Sequence, residues 1–468
     1  MMKDKLETIY NRPYPFYLTS AMHHKAWGRV SFVGSDPFLV LKSKGNNITI
    51  EQDGKATHKK GDPLEELRSI LNAYKVRHNP KNPVPFMGGA VGYFGYDLCH
   101  FIEKLPNTTY DDLNFPDIFF AFYDRFIAID HFDNRTWDVR LGFDATRCGL
   151  DSCWSLSRRD RNDTFLSVIS ATPNGIFIND SSVGKAGIHK KKITESMLKS
   201  NFTKQAYIKA VRRVKEYILA GDIYQANLSQ RFEVPLNKHP LELFQTLQKI
   251  NPAPFSALLK PDNNQVIISS SPERFLKVKD GYVETRPIKG TRPRGKTKAQ
   301  DNQLKKELLH SIKDNAELAM IVDMERNDLG RVCKYGSVKV TQQKVLETYP
   351  TLHHLVATVK GELDKKYDLV DVIKATFPGG SITGAPKIRA MEIIDELEPT
   401  RRNAYTGAIG YIGFDGTMDL SIAIRIIMLN TNKAYYQVGG GIVADSDPAS
   451  EYEETLTKGK ALMKACLI

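Results

Sequence analysis

Gly407-Ala408-Ile409-Gly410-Tyr411-Ile412-Gly413, then Leu420-Ser421-Ile422-Ala423-Ile424-Arg425-Ile426-Ile427-Met428-Leu429, then Tyr435-Tyr436-Gln437-Val438 is the stretch that decides the fold. Each run is apolar and rich in β-branched or aromatic residues, the composition that suits a pleated, half-buried surface. The segments between them are too short for a helix, so consecutive strands follow one another directly. Val266 to Ser269, Val283 to Thr285 and Ser337 to Thr341 repeat the pattern upstream. The expected fold is therefore a mixed α/β protein of the α+β type with much antiparallel sheet.

Helices are expected between these runs. Thr203 is an N-cap for a helix whose Tyr207, Val211, Val214 and Ile218 share one face, and Gly221 stops it. One long helix is expected from Asp301 to Glu325, with Leu304, Leu308, Ile312 and Met320 on one stripe. Another follows Gly384, and the last opens at Asp447-Pro448. Residues 1–145 read mainly as strands and turns, including Ile48 to Glu51 and Ile118 to Ile129. Residues 146–200 turn to Ser, Asn, Asp, Gly and Lys without sustained periodicity and read as an irregular connection with room for one helix. Order returns over 201–468.

Composition bounds the function. The chain has 468 residues, with 66 Lys+Arg against 54 Asp+Glu for a net charge of +12 and 41% hydrophobic residues. That apolar content excludes a disordered chain. The one basic cluster, His189-Lys190-Lys191-Lys192, reads as a solvated loop, so nucleic acid is not the expected partner. Five cysteines without a CxxC pair indicate neither a zinc ribbon nor a disulfide framework. The start of the chain lacks the apolar run of a signal peptide and nothing is long enough to span a membrane, so a cytoplasmic protein is expected.

Gly439-Gly440-Gly441-Ile442-Val443-Ala444 fits a dinucleotide fingerprint, but too little chain follows for the rest of that unit. Gly379 to Lys387 has Ala385 and Pro386 where a phosphate loop needs Lys and Ser or Thr. The acids are more informative. Glu451 and Glu454, like Asp314 and Glu317, lie three apart on one helix face. Two such pairs suit Mg²⁺, although acids in a first helical turn also serve simply to offset its dipole. Lys289 lies amid Arg286, Arg292 and Arg294; buried there its amine becomes a nucleophile, and solvated it is an ordinary surface charge.

Pro287-Ile288-Lys289-Gly290-Thr291, Ser271-Pro272-Glu273-Arg274-Phe275, Met320 to Asp323 with Arg326-Asn327-Asp328, His354-Leu355-Val356, Pro378 to Lys387, and Gly439 to Ser446 occur in one order. In that order they resemble the chorismate-utilising enzymes, which include the large subunit of anthranilate synthase, aminodeoxychorismate synthase component I, isochorismate synthase and salicylate synthase. The resemblance is dense over residues 201–468 and weak toward the N-terminus. It implies two packed, largely antiparallel sheets flanked by helices, like anthranilate synthase component I, with chorismate and Mg²⁺ between them.

Within the family the resemblance favours the aminodeoxychorismate synthase branch. Gln225 stands where water-using members carry a lysine base, which implies ammonia as nucleophile. Lys289 stands where anthranilate synthases carry alanine, which implies a lysine bonded covalently to C2 of the ring while ammonia attacks C4. The implied product is 4-amino-4-deoxychorismate, a precursor of p-aminobenzoate and folate. By the same resemblance Glu273 is the general acid, with His354 and Ser337 as further catalytic candidates. Ser381, Tyr405, Arg425, Gly439 and Gly441 bind substrate, and Glu317, Glu454 and Glu451 bind Mg²⁺, with Asp314 less typical of the family. No cysteine lies in a glutaminase elbow, so a separate glutamine amidotransferase subunit is the implied ammonia source. Ser20, Trp27, Gly28, Arg29, Val30, Phe255, Ser256 and Ala257 match a tryptophan pocket. The alternatives are an anthranilate synthase large subunit and, from another class, a basic nucleic-acid-binding protein that keeps a degenerate fold.

Overall fold

The computed structural model describes residues 2–22, 28–142, 153–158, 171–172, 175–176, 194–236, 238–350 and 352–468. The His189–Lys192 cluster and Trp27 lie outside these residues. Two twelve-stranded sheets, antiparallel at every strand pairing, form the centre of the molecule. In the first, the strands Phe16–Thr19, Phe255–Leu259, Gln265–Ser271, Ile426–Asn430, Lys433–Ile442 and Gln225–Pro235 lie side by side in that order. The second runs Ile288–Pro293, Leu352–Glu362, Tyr282–Arg286, Arg274–Lys279, Met418–Ile422, Ala408–Gly413 and Gly89–Phe94. Strands from the N-terminal 142 residues and from 225–442 share both sheets, so neither part of the chain closes a sheet alone.

The sheets face each other across an aromatic core. Phe32, Phe86, Phe126 and Tyr411 meet there, with Phe86 stacked on Phe126 at 4.7 Å and Phe32 edge-on to Tyr411 at 5.7 Å. Helices cover the outer faces. Pro63–Ala73, Ile312–Gly330 and Leu369–Thr376 lie over the second sheet, and Pro240–Ile250 and Pro448–Leu467 over the first. No helix among the described residues is long and apolar enough to cross a membrane.

Two expected strands are each two strands in different sheets. Leu420 to Leu429 breaks at Ala423-Ile424-Arg425, where Arg425 takes φ +55 and the chain leaves the second sheet for the first. Ile118 to Ile129 breaks at Asp124 in the same way. The expected Asp301–Glu325 helix is also two, Lys298–His310 and Ile312–Gly330. Ser311 leaves helical geometry at ψ 113 and its hydroxyl accepts from the Asp314 N–H at 3.2 Å, capping the second helix. Ile312 is consequently 88% exposed, and the buried stripe is Leu318, Ile321, Val322 and Glu325 instead. The expected Ser337–Thr341 strand runs from Lys339 to Thr348, and the N-terminal region holds the helices Met2–Tyr10 and Pro63–Ala73, which its strand-like reading lacked.

The helices opened by Thr203 and Asp447 form as expected, with each cap side chain accepting a backbone N–H. Between the layers, Arg402 and Glu398 form a fully buried ion pair at 2.7 Å, and the guanidinium also donates to the carbonyls of Asn227 at 2.6 Å and Ile382 at 3.2 Å. It ties the first sheet to the loop that carries Tyr405. Replacing Glu398 by Gln strands that cation in a dry site, and the expected loss is about 3–5 kcal/mol of unfolding free energy in a urea titration.

Candidate active site

Glu273 sits where the chain passes from the Gln265–Ser271 strand of the first sheet to the Arg274–Lys279 strand of the second. It is 5% exposed, and its Oε1 accepts from the Ser381 hydroxyl at 2.7 Å and the Ile288 N–H at 3.4 Å. Burial pushes its carboxyl up to about 7, against the opposing pull of Ser381 and Lys289. A carboxyl poised there can donate a proton at neutral pH.

Lys289 lies on the strand Ile288–Pro293, paired opposite Leu355. Its Nζ reaches to 3.5 Å from the Ser381 carbonyl. Burial lowers its pKa, while the carboxylates of Glu317, Glu273 and Glu454 act to keep the proton on. Gly290 follows at φ +72, and a Cβ there would lie 2.8 Å from Leu308 and 3.0 Å from Asp314. Only glycine lets the helices approach this strand so closely.

His354, on the neighbouring strand, hydrogen-bonds Thr291 Oγ1 through Nδ1 at 2.9 Å, and its buried Nε2 has no partner. Burial and then the Arg425 cation push it down to about 4, so it is neutral at neutral pH. Arg425, held by its positive φ at the sheet crossing, donates to the Lys458 carbonyl and faces Tyr405. Gly439 and Gly441 line the inner face of the first sheet. A Cβ on Gly441 would fall 2.5 Å from Gln225 Nε2, and one on Gly439 2.9 Å from Asn227 Oδ1.

The acids gather on the other side of Gly440, where a Cβ would meet Glu451 Oε2 at 3.1 Å and Glu454 Oε1 at 3.7 Å. Glu451 accepts from Ser446 at 2.6 Å, Glu454 pairs with Lys458 at 2.6 Å, and Glu317 approaches Lys313 at 4.0 Å. Among the described residues no three His, Cys, Asp or Glu side chains converge tightly enough to cage an ion unaided. Mg²⁺ does not need such a cage, since one or two carboxylates with substrate and water oxygens complete its shell. The donor chemistry of these acids fits that partial site. Asp314 is engaged by Arg292 at 2.9 Å.

Lys289, Glu273, His354, Ser381, Tyr405, Arg425, Gly439, Gly441 and the three glutamates thus belong to one region. Ser337 does not. It closes a turn at the far end of the Leu352–Glu362 strand, donating to the Lys334 carbonyl at 2.7 Å and accepting from the Glu362 N–H at 3.1 Å. Lys458, which also donates to the Gly439 carbonyl at 3.0 Å, is a site residue that sequence reasoning missed. Its signal was present as the helical i,i+4 partner of Glu454. Gly28, Arg29, Val30, Phe255, Ser256 and Ala257, which the resemblance matches to a tryptophan pocket, line a separate cavity of about 380 Å³ together with Arg274 and Lys277. Ser20 lies beside it, its hydroxyl on the Met22 carbonyl.

A family profile described as chorismate binding enzyme matches residues 15–464. The chain belongs to the chorismate-binding enzyme family. It is 42% identical over 451 residues to anthranilate synthase component 1 of Acetivibrio thermocellus, covering 96% of this chain and 89% of that one. To aminodeoxychorismate synthase component 1 of Bacillus subtilis it is 39% identical over 438 residues, covering 94% and 89%. The crystal structure of anthranilate synthase component I from Streptococcus pneumoniae superposes with a TM-score of 0.75 at 31% identity, covering 92% of this chain and 91% of that one.

Behind Ser381 this chorismate-binding enzyme buries a further acid. Glu325 is 2% exposed, its Oε2 has no hydrogen-bond partner, and burial with the neighbouring Asp328 raises its pKa to about 8. In the unfolded chain it ionises near 4.5, so stability falls as pH rises from there toward 8 and is constant above. Glu325→Gln is expected to stabilise the fold at pH 8 by a few kcal/mol, shrinking toward zero by pH 4.5, in unfolding titrations at both pH values.

Proposed function

We propose that this enzyme aminates chorismate at C4 to give 4-amino-4-deoxychorismate through a covalent adduct on Lys289. The observation that carries the reading is the placement of the Lys289 amine, 3.5 Å from the carbonyl of Ser381, whose hydroxyl donates to Glu273 Oε1 at 2.7 Å; burial there draws the amine below its ordinary pKa. Neutral Lys289 attacks ring carbon C2, the ring double bonds shift, and the C4–oxygen bond breaks. The leaving hydroxyl takes the Glu273 proton and departs as water. Ammonia then attacks C4, the C2–nitrogen bond breaks with its electrons returning to Lys289, and the Glu273 carboxylate accepts the proton released by the new amine. Chorismate and ammonia are consumed, and aminodeoxychorismate and water are formed.

Arg425 and Tyr405 orient the enolpyruvyl carboxylate, the guanidinium as a two-pronged donor. Glu317, Glu451 and Glu454 would hold Mg²⁺, which when bound neutralises the ring carboxylate. A glutamine amidotransferase subunit supplies the ammonia. A lysine at position 289 favours this reading over the anthranilate synthase reaction, in which ammonia would add at C2 directly.

Intact-mass analysis with chorismate and Mg²⁺ but no ammonium is expected to show an adduct of chorismate minus water. Lys289→Ala should abolish it, and Glu273→Gln should slow its formation by about 10²–10⁴-fold. Adduct formation needs a protonated Glu273 and a neutral Lys289 together, so its rate should pass through a maximum with pH, falling on the acid side as one of the pair gains a proton and on the alkaline side as one loses it. Fluorescent anthranilate formed from chorismate and ammonium without a lyase would instead establish the anthranilate reaction. L-Tryptophan is the proposed occupant of the 380 Å³ cavity. Tryptophan released by denaturing the purified protein, or a rise in Tm on adding it, is the expected result, and neither effect would refute it.

A further inference from the structure

Outside the active site, one histidine is held between two carboxylates. His78 Nδ1 lies 2.9 Å from Asp415 Oδ2, and its Nε2 lies 2.8 Å from Asp280 Oδ1. Asp280 takes φ +52 at the tip of the hairpin between the strands Arg274–Lys279 and Tyr282–Arg286, and its side chain is half-exposed. Asp415 lies in the turn between the strands Ala408–Gly413 and Met418–Ile422. Its side chain is buried, and its other oxygen accepts from the Thr417 hydroxyl at 2.6 Å and the Thr417 N–H at 3.1 Å. The imidazole therefore joins two turns of the second sheet to the segment that carries it.

Those two contacts set the charge of the ring. A neutral imidazole has one N–H and one lone pair, so it can donate to only one of the carboxylates, whereas the imidazolium donates to both. Partial burial works against the charge. Asp415 and Asp280, the charged groups that act on the ring from those two turns, outweigh it and hold its pKa above the ordinary 6.5. As pH rises through that raised pKa the ring loses a proton, and one lone pair then faces an oxygen. Asp415 is buried and fixed by Thr417, so the exposed Asp280 is the partner released.

The segment so held has few other ties. Residues 74–88 connect the helix Pro63–Ala73 to the strand Gly89–Phe94 without a helix or strand of their own. Pro80, Pro83 and Pro85 have no N–H to donate. Val76, before His78, is buried and donates to the Phe414 carbonyl at 3.0 Å, and Val84 and Phe86 are buried after it. Between these anchors Arg77 and Lys81 are exposed, and Asn82, Pro83, Val84 and Pro85 line the 380 Å³ cavity. We infer that His78 is a pH-sensitive clamp on this wall of the cavity: charged, it pins the segment to Asp280 and Asp415, and deprotonated, it lets Asn82 to Pro85 move and opens the cavity.

The test is limited digestion of the whole chain with trypsin, which cuts after the exposed Arg77 and Lys81. Each rate is divided by that of a free peptide spanning residues 72–86, which removes the protease's own pH dependence. For the wild type this ratio is expected to rise about tenfold between pH 6.5 and pH 9, the worth of one charge-assisted hydrogen bond. His78→Asn should give the high ratio at both pH values. Asp280→Asn should give the low ratio at both, because an amide can either accept from the ring nitrogen or donate to it, and asparagine suits φ +52. A wild-type ratio unchanged with pH, or a His78→Asn ratio equal to wild type at pH 6.5, overturns the inference. So does a His78 ring resonance that titrates at or below 6.5. A rise with pH as large in Asp280→Asn as in the wild type also counts against it, because the proton would then act elsewhere.

Discussion

The site depends on holding a lysine amine out of water without neutralising the acids around it. Moving one pKa unit takes about 1.4 kcal/mol, so the surroundings of Lys289 must favour the neutral amine without forbidding the charged one. Burial supplies the first influence, and Glu317, Glu273 and Glu454 supply the second. The same burial raises Glu273, which leaves an amine and a carboxyl whose proton affinities are drawn toward each other. Neither shift would survive if the two sheets opened and admitted water.

The architecture provides that enclosure by passing one chain back and forth between two sheets. Glu273 and Arg425 lie at two such crossings, where backbone groups are released from the ladders and side chains point into the gap. Glycines at 290, 439 and 441 let neighbouring atoms approach the backbone where a Cβ would collide. The buried Arg402–Glu398 pair fixes the Tyr405 loop against the first sheet. Rigid strands therefore carry Lys289 and His354, while crossings and turns carry the groups that surround the substrate.

Much of this was legible in the sequence, and the misses have physical causes. Strand composition and caps gave the antiparallel class and the helices at Thr203 and Asp447. The break at Arg425 was hidden because Leu420 to Leu429 is apolar but for Ser421 and Arg425, and burial between two sheets looks the same from either sheet. Ser311 was passed over because serine inside a periodic stripe is common, although here it caps a new helix. Spacing brought Glu451 and Glu454 to one face but could not show that Lys458 neutralises one of them. Ser337 came from the resemblance alone, and the structure sets it beside Glu362, at the other end of the Leu352–Glu362 strand from His354.

The most direct test of the central claim is an NMR titration of the Lys289 side chain in protein carrying ¹³C-labelled lysine, assigned by difference from Lys289→Ala. The account predicts that this amine titrates below the ordinary lysine range while the surface lysines do not. Titration of Lys289 together with the solvated lysines, unaffected when Glu273 or Glu317 is changed to glutamine, would contradict it.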